Sequence, residues 1–100
     1  MKYDFIIIGA GSAGCLIASR LSENPAVSVL LLEAGPDYTN VETLPSDIKY
    51  GYDTASVLTG PHMWGYQANS MLDHGTTFHL PRGKIVGGSG AVNGQVWLRG

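Results

Sequence analysis

Two glycine-rich segments and one glutamate between them are the residues whose types and spacing suggest chemistry. The first segment, GAGSAG at residues 9–14, directly follows the apolar run FIII at residues 5–8. The second, GKIVGGSGAVNG, occupies residues 83–94, and Glu33 lies between the two segments. Glycines let a backbone approach a ligand closely, and an acidic residue about 20 residues after such a loop can bind a ribose. Together they predict one long, phosphate-containing dinucleotide that is held at more than one point.

The three glycines of the first loop have separate expected roles. Gly9 makes the tight turn after the strand, Gly11 leaves room for a pyrophosphate, and Gly14 lets the following helix pack on the strand. The N-terminus of that helix offers N–H groups and a partial positive charge to the anion, so no lysine is required there. An ordinary glycine-rich turn is the alternative when such a loop is considered alone.

Glu33 lies 19 residues after Gly14, at the end of the second apolar run. A carboxylate at this place can accept both ribose hydroxyls of an adenosine, and it would repel a 2′-phosphate, which argues against NADP. NAD and FAD carry the same adenosine ribose, so Glu33 does not separate them. The second loop favours FAD, because its GGSG at residues 87–90 predicts further backbone donors for phosphate or for the flavin ring.

A βαβ unit must position the first loop and Glu33. Hydrophobic patterning predicts a strand over residues 3–8, a helix over 12–23 and a strand over 27–32, with a right-handed crossover. The rest of the chain predicts an irregular excursion with one helical turn over 36–62, short strands at 64–68 and 77–80, and a helix from about Ser89. The fold class is therefore α/β: a Rossmann-like βαβ unit that binds FAD or NAD(P), with an incomplete parallel sheet, irregular loops and short strands.

Length and composition narrow the possible classes of protein. The 100 residues allow one small domain, and a net charge of −2 gives no electrostatic case for nucleic acid or an anionic membrane. The single cysteine, Cys15, excludes an internal disulfide, and we expect it to be a small buried side chain. The N-terminal segment lacks the basic region of a signal peptide, and no apolar run reaches the roughly 20 residues of a transmembrane helix, so the cytoplasm is the default location.

Two parallel strands do not complete a doubly wound sheet, which usually has about five or six strands covered on both faces. We therefore expect residues 1–100 to be the N-terminal portion of an FAD-binding domain. Its partner would be the remainder of the same polypeptide.

The order of the motifs resembles the FAD domain of the glucose–methanol–choline (GMC) oxidoreductases. The resemblance rests on residues 5–14, LEAGP at 32–36, WGY at 64–66, and PRGKIVGGSGAVNG at 81–94 through 99–100. The second loop is the signature of that family. The resemblance implies a longer flavoenzyme that oxidises a small-molecule alcohol to a carbonyl by hydride transfer to flavin N5. It also places the catalytic histidines in the C-terminal part, so no catalytic residue is assigned within this chain.

The same resemblance implies which residues bind a cofactor. The pyrophosphate would be held by Gly9, Gly11, Ser12, Ala13 and Gly14. Glu33 would bind the ribose, and the adenosine side would be bordered by Ala34, Arg82 and Gly83. The path to the isoalloxazine would be lined by Val86, Gly88, Ser89, Asn93, Gly94 and Val96. Trp64 is expected either to pack near the cofactor or to be a core aromatic.

Three positions bear on how the cofactor would be held. Gly90 stands where the family often has a serine, and Gln95, where it often has Met, would put a polar group near the flavin. Some members attach FAD through a histidine near the position of Asn93. This chain has Val92 and Asn93 there, and neither is a suitable nucleophile, so non-covalent FAD is predicted.

Other chemistries have less support. His62, His74 and His79 are too scattered for a metal site and are interpreted as surface or hydrogen-bonded histidines. An NAD-dependent dehydrogenase unit and a non-catalytic module that binds a nucleotide or a partner chain stay as the alternative functions.

Overall fold

The computed structural model describes residues 1–51, 54–71, 75–94 and 99. Two strand pairs and several short helices make up this part of the chain. In chain order they are β1 (Phe5–Ile8), α1 (Ser12–Leu21), β2 (Val29–Leu32), a 3₁₀ helix (Val41–Thr43), α2 (Ser46–Tyr50), α3 (Thr54–Thr59), β3 (Gln67–Asn69), β4 (Thr77–His79) and a second 3₁₀ helix (Gly88–Gly90). The predicted α/β class is confirmed.

The N-terminal βαβ unit has the predicted order and shorter strands. β1 and β2 pair in parallel, with Phe5 opposite Val29 and the register continuing along both strands. Asp4 and Ser28 end this pairing, because the Ser28 N–H and hydroxyl both donate to the Asp4 carboxylate. The predictions of strands from residues 3 and 27 were therefore wrong by two residues each. The Asp4 carboxylate thus takes the Ser28 N–H, while the Ser28 carbonyl still accepts from the N–H groups of Asp4 and Phe5.

Helix α1 packs on the parallel pair through Gly14. A Cβ at Gly14 would overlap the carbonyl oxygen of Gly9 and lie 3.5 Å from Cγ2 of Ile7, so the helix lies close to β1 as predicted. The helix ends at Leu21, two residues before the predicted end. Leu16 of this helix is 60% exposed.

The excursion is more helical than its sequence predicts. It contains a 3₁₀ helix and both α2 and α3 where one helical turn was expected. Asn40 caps the 3₁₀ helix by accepting a hydrogen bond from Glu42 N–H at 2.9 Å. Pro45 precedes α2, and Gly51 ends it in a left-handed conformation. These are ordinary start and stop signals that act in helices too short for an apolar periodicity to be recognised.

The small buried core is formed between the excursion, residues 36–62, and the second glycine loop, and it contains no residue of β1 or β2. Val57, Ile85 and Val92 form it, with the partly buried side chains of Tyr38, Ile48 and Met63 around them. Ile85 and Val92 belong to the second glycine loop. The excursion therefore provides the apolar support on which this loop rests.

The predicted strand at residues 64–68 is displaced. β3 begins at Gln67 and pairs antiparallel with β4, so that Ala68 lies opposite Phe78. Trp64 N–H instead donates to the Arg82 carbonyl at 2.8 Å, which ties it to the segment before the second loop. The second predicted strand, at residues 77–80, ends one residue early.

The predicted helix from Ser89 is also wrong. Residues Gly88–Gly90 form a 3₁₀ helix that leads into a turn, and Asn93 closes this turn by donating from its side-chain amide to the Gly90 carbonyl at 2.9 Å. No helix in the part of the chain that the structure describes has the length and hydropathy of a membrane span.

Candidate dinucleotide-binding site

The two glycine loops are in direct contact. Gly87 N–H donates to the Ala10 carbonyl at 2.7 Å, and Gly11 and Gly87 form a parallel bridge. Gly88 has a φ of 60°, and a Cβ at this residue would lie 2.9 Å from the Cα of Gly11. Glycine is required there both by the backbone conformation and by the neighbouring loop. The two glycine loops therefore lie side by side.

Glu33 joins the ends of the two parallel strands. Its Oε2 accepts a hydrogen bond from Ala10 N–H at 2.7 Å, and its Oε1 accepts one from Gly35 N–H at 2.9 Å. These backbone donors, Gly35 first and Ala10 second, hold the pKa of the Glu33 carboxyl below its usual value. The side chain is therefore ionised at neutral pH. Each carboxylate oxygen keeps acceptor capacity for a ligand hydroxyl.

A cavity of about 500 Å³ opens where the loops and Glu33 meet. Its volume falls within the range of roughly 300–1,000 Å³ that is usual for small-molecule sites. The lining residues that the sequence predicts as site residues are Gly9, Gly11, Glu33, Ala34, Trp64, Gly83 and Gly88. Ile8 and Leu32 also line it and were missed. They are the last residues of β1 and β2, and the carboxyl ends of parallel strands are where α/β folds bind ligands.

Trp64 lies at this cavity and outside the buried core cluster. Its ring stacks on Tyr66, with centroids 5.6 Å apart and planes inclined by 5°. The Lys84 ammonium lies 5.0 Å from the ring centroid. Of the two expectations for Trp64, a place beside the candidate site agrees with the geometry.

The geometry also tests whether a phosphate-bearing ligand fits. A Cβ at Gly11 would meet only the Cα of Gly88 at 3.9 Å, which is an ordinary contact, and Gly11 lines the cavity. The protein's own packing therefore does not demand glycine at this position, whereas a ligand approaching the backbone would. The first turn of α1 begins beside it, where N–H groups lack intrahelical partners and the helix dipole favours an anion.

Several predicted residues lie away from the cavity lining. Ser12 and Ala13 occupy the exposed first turn of α1, and Gly14 is used in packing. Arg82 is exposed, and its guanidinium donates to the Pro81 carbonyl. Val86 N–H donates to the Pro36 carbonyl at 3.0 Å, which fixes the loop to the chain after β2.

The later residues of the second loop surround a different space. Ser89 and Asn93 line a separate cavity of about 160 Å³. The Ser89 hydroxyl accepts a hydrogen bond from Gly83 N–H at 3.0 Å. Gly94 is exposed, and Gln95 and Val96 lie outside the described residues.

The histidines and the cysteine differ in part from expectation. His79 is exposed as predicted, and His74 lies outside the described residues. His62 is 5% exposed, and its Nε2 lies 2.8 Å from the Tyr38 hydroxyl. Its buried Nδ1 has no hydrogen-bond partner in the part of the chain that the structure describes, so His62 is there neither a surface nor a fully hydrogen-bonded histidine. Cys15 is only half-buried, and its thiol donates to the Ala10 carbonyl. Within the described ranges, no cluster of three potential metal ligands occurs.

A parallel βαβ unit, a glycine-lined cavity and a carboxylate at the end of β2 define a Rossmann-like nucleotide-binding architecture. The sequence matches the family described as GMC oxidoreductase over residues 3–100, and the chain belongs to this family. The resemblance inferred from the motifs is thereby confirmed.

Relatives with known names and structures agree with this assignment. The chain is 43% identical over 100 residues to an oxygen-dependent choline dehydrogenase of Vibrio vulnificus (strain YJ016), an alignment that covers 98% of this chain and 17% of that protein. Pyridoxine 4-oxidase from Mesorbium loti matches in structure with a TM-score of 0.73 at 34% identity, covering 99% of this chain and 19% of that one. A formate oxidase of Aspergillus oryzae RIB40, studied for the effect of a mutation on FAD modification, has a TM-score of 0.72 at 34% identity, covering 91% and 16%. The chain thus spans less than a fifth of these proteins.

Proposed function

We propose that this chain is the FAD-binding portion of an oxidoreductase that converts an alcohol to a carbonyl compound. Residues 1–100 would form the N-terminal portion of the FAD-binding domain. The observation that carries the proposal is the 500 Å³ cavity at which both glycine loops, Glu33 and Trp64 meet. The names of the relatives support the substrate class, since choline and pyridoxine both carry hydroxyl groups.

The first loop would hold the pyrophosphate. Gly11 gives it access to the backbone, and Ser12 and Ala13 begin the helix whose N-terminus faces the anion. Gly9 and Gly14 would act indirectly, since one makes the turn after β1 and the other sets the distance between α1 and β1.

Glu33 would bind the ribose of the adenosine half. Its carboxylate is ionised and anchored by two backbone N–H groups, so it is already oriented before a ligand hydroxyl arrives. Ala34 and Gly83 line the same cavity, and with Arg82 they would border the adenosine. The negative charge of Glu33 opposes a 2′-phosphate.

The second loop would lead to the isoalloxazine, the part of FAD that supplies hydride-accepting chemistry. The residues assigned to this path are Val86, Gly88, Ser89, Asn93, Gly94, Gln95 and Val96. Glu33 is the ionisable group among the described residues that line the cavity, and backbone N–H donors lower the pKa of its carboxyl, which makes it a weak proton acceptor. The group that accepts the proton of the substrate hydroxyl is therefore proposed to lie outside residues 1–100.

The flavin would be bound without a covalent link. Val92 is buried in the core, and the Asn93 amide donates to the Gly90 carbonyl. These two residues stand where some family members attach FAD through a histidine, and neither offers a nucleophile. This supports dissociable FAD.

The remainder of the same polypeptide would cover the parallel pair. Ile6 and Ile8 of β1 are 59% and 86% exposed, although parallel sheets are normally buried on both faces. A further layer of protein against this surface would remove that apolar area from water.

The test uses the purified full-length protein. We expect a visible flavin absorption spectrum that is lost to the supernatant after acid precipitation, and bleaching of this spectrum when an alcohol such as choline or pyridoxine is added without oxygen. A protein that is colourless and stays so after incubation with FAD would overturn the proposal, and binding of NADH by such a protein would favour an NAD-dependent enzyme. Flavin that remains in the acid precipitate would overturn only the non-covalent attachment.

A further inference from the structure

Lys84 is a cation without an anionic partner among the described residues. Its ammonium lies 5.0 Å from the centroid of the Trp64 ring, and no described carboxylate lies within ion-pair distance of it. Lys49 offers a contrast, because it lies 5.7 Å from the Tyr50 ring and also pairs with Glu42 at 3.5 Å. The half-buried Lys84 side chain is thus placed by an aromatic face and not by a salt bridge.

The main chain of Lys84 is fixed on two sides. Its N–H donates to the His62 carbonyl at 2.7 Å, and Met63 and Gly83 form an antiparallel bridge beside it. Its carbonyl lies so close to Gly35 that a Cβ at Gly35 would overlap it. Lys84 is therefore held between the segment that carries Trp64 and the chain that follows Glu33. A long side chain diagonal to an aromatic one in an antiparallel pair is well placed to reach it.

The Trp64 ring lines the cavity together with Glu33 and Ala34. We propose that Lys84 is a positioning residue for the dinucleotide: it holds the Trp64 ring as a wall of the cavity and brings positive charge towards the phosphate-bearing ligand through that ring. This inference rests on the proposed function and concerns the adenosine half, because Glu33 lines the same space. Lys84 acts through Trp64, so the effect of removing it depends on the presence of the ring.

The experiment measures binding of FAD and ADP to full-length apoprotein. In Lys84→Met, which keeps most of the length of the side chain and removes its charge, we expect about three- to tenfold weaker binding of both ligands. Lys84→Arg keeps a cation over the ring and should bind within about twofold of the wild type. Lys49→Met is the matched control, because it removes the other lysine that lies over an aromatic ring, and it should leave both affinities unchanged.

A double variant tests the route of the effect. In a Trp64→Leu background, Lys84→Met should cause no further loss of ADP affinity, because the ring through which it acts is gone. Equal losses with and without Trp64 would overturn the inference, as would binding by Lys84→Met within about twofold of the wild type. A lower apoprotein unfolding midpoint in Lys84→Met that Lys84→Arg shares would assign a structural role and also overturn it. Failure of the wild-type protein to bind FAD at all would instead count against the proposed function.

Discussion

The two glycine loops use glycine for different purposes. In the first loop, Gly9 has a φ of 93° and makes the turn, Gly14 allows helix–strand packing, and Gly11 leaves space in the cavity. In the second loop, Cβ atoms at Gly83 and Gly88 would meet backbone atoms of the loops themselves. The first loop therefore has one glycine, Gly11, that leaves space for a proposed ligand. The glycines Gly83 and Gly88 of the second loop instead allow backbone segments of the loops to pack closely.

The backbone donors of the second loop follow the same division. Gly87 N–H donates to the Ala10 carbonyl, and Gly88 N–H donates to the Ile85 carbonyl. The second loop was expected to offer backbone donors to a phosphate or a flavin, but these two N–H groups bond within the chain. A glycine-rich pattern can thus shape a cavity by holding two loops together.

The largest effect is expected where the βαβ unit meets the second loop. In Gly35→Ala, the new methyl group would overlap the carbonyl of Lys84 and approach the backbone of Ile85. Because both partners are main chain, relief requires a shift of the loop, and we expect a loss of about 3 kcal/mol in the free energy of unfolding. Urea unfolding of the full-length protein measures it, together with the flavin content.

Gly65→Ala is the control for this substitution. Gly65 is exposed, and a Cβ there would meet nothing within 4 Å. Its free energy of unfolding should change by less than about 0.5 kcal/mol. Equal stabilities of the two variants would contradict the close docking of the second loop on the chain after β2.

The next effect separates ligand space from packing space within the first loop. In Gly11→Ala, the methyl group finds an ordinary contact in the protein and projects where the pyrophosphate is proposed to lie. We expect FAD binding at least about tenfold weaker, with an unchanged unfolding midpoint of the apoprotein. Titration of apoprotein with FAD gives the first quantity, and thermal unfolding gives the second.

Gly65→Ala again serves as the matched control for the cost of replacing glycine by alanine. Its affinity for FAD should equal that of the wild type. If Gly11→Ala binds FAD normally, the cavity at Gly11 is not the pyrophosphate site. If instead its apoprotein unfolds at a lower midpoint, Gly11 belongs with the packing glycines.

The sequence predicts the first loop better than the second for a physical reason. The pattern of strand, turn, helix and strand lies within residues 3–32, and Gly9 and Gly14 act within that unit. The apolar runs and the spacing to Glu33 therefore suffice to predict the unit. The exact starts of its strands depend on Asp4, whose carboxylate accepts from the Ser28 N–H and hydroxyl, and such a contact leaves no periodic signal in the sequence.

The second loop and the excursion depend on contacts between distant residues. The helix expected from Ser89 is a 3₁₀ turn because Gly88 adopts a left-handed conformation to meet Gly11. No local pattern contains that information. The same holds for Trp64, whose place at the cavity follows from its bond to Arg82 and not from its own neighbours in sequence. Most residues that line the cavity were predicted, whereas the place of Ile8 and Leu32 in the lining, and the absence of several predicted residues from it, required the tertiary contacts.

Glu33 links the two strand ends, and its contribution should depend on pH. Its pKa is lowered from 4.5 in the folded state, chiefly by Gly35 N–H and then by Ala10 N–H. The stabilisation is therefore fully present above pH 4.5 and is lost as the pH falls through the lower folded pKa. In Glu33→Gln, we expect a loss of about 1.5 kcal/mol in the free energy of unfolding of the apoprotein at pH 7. The difference from the wild type should shrink below pH 4.5.

Glu23→Gln is the matched control, because Glu23 pairs with Arg20 on the exposed face of α1. Exposed pairs contribute little, so this variant should lie within about 0.5 kcal/mol of the wild type. A Glu33→Gln difference that is independent of pH would show that shape, and not charge, determines the contribution of Glu33.

The smallest expected effect compares a serine from each loop. The Ser89 hydroxyl accepts a hydrogen bond from Gly83 N–H at 3.0 Å, which closes the second loop on itself. Ser12 is exposed at the start of α1, where Gly11 is the N-cap and no side chain caps the helix. In Ser89→Ala we expect a loss of about 1 kcal/mol in the free energy of unfolding, and in Ser12→Ala less than about 0.5 kcal/mol. Ser12→Ala should weaken FAD binding more than Ser89→Ala does, because Ser12 lies in the helical turn proposed to face the pyrophosphate. If one of the two variants lost more of both stability and FAD affinity, the two loops would not differ in the way proposed, with the first binding the ligand and the second packing against the protein.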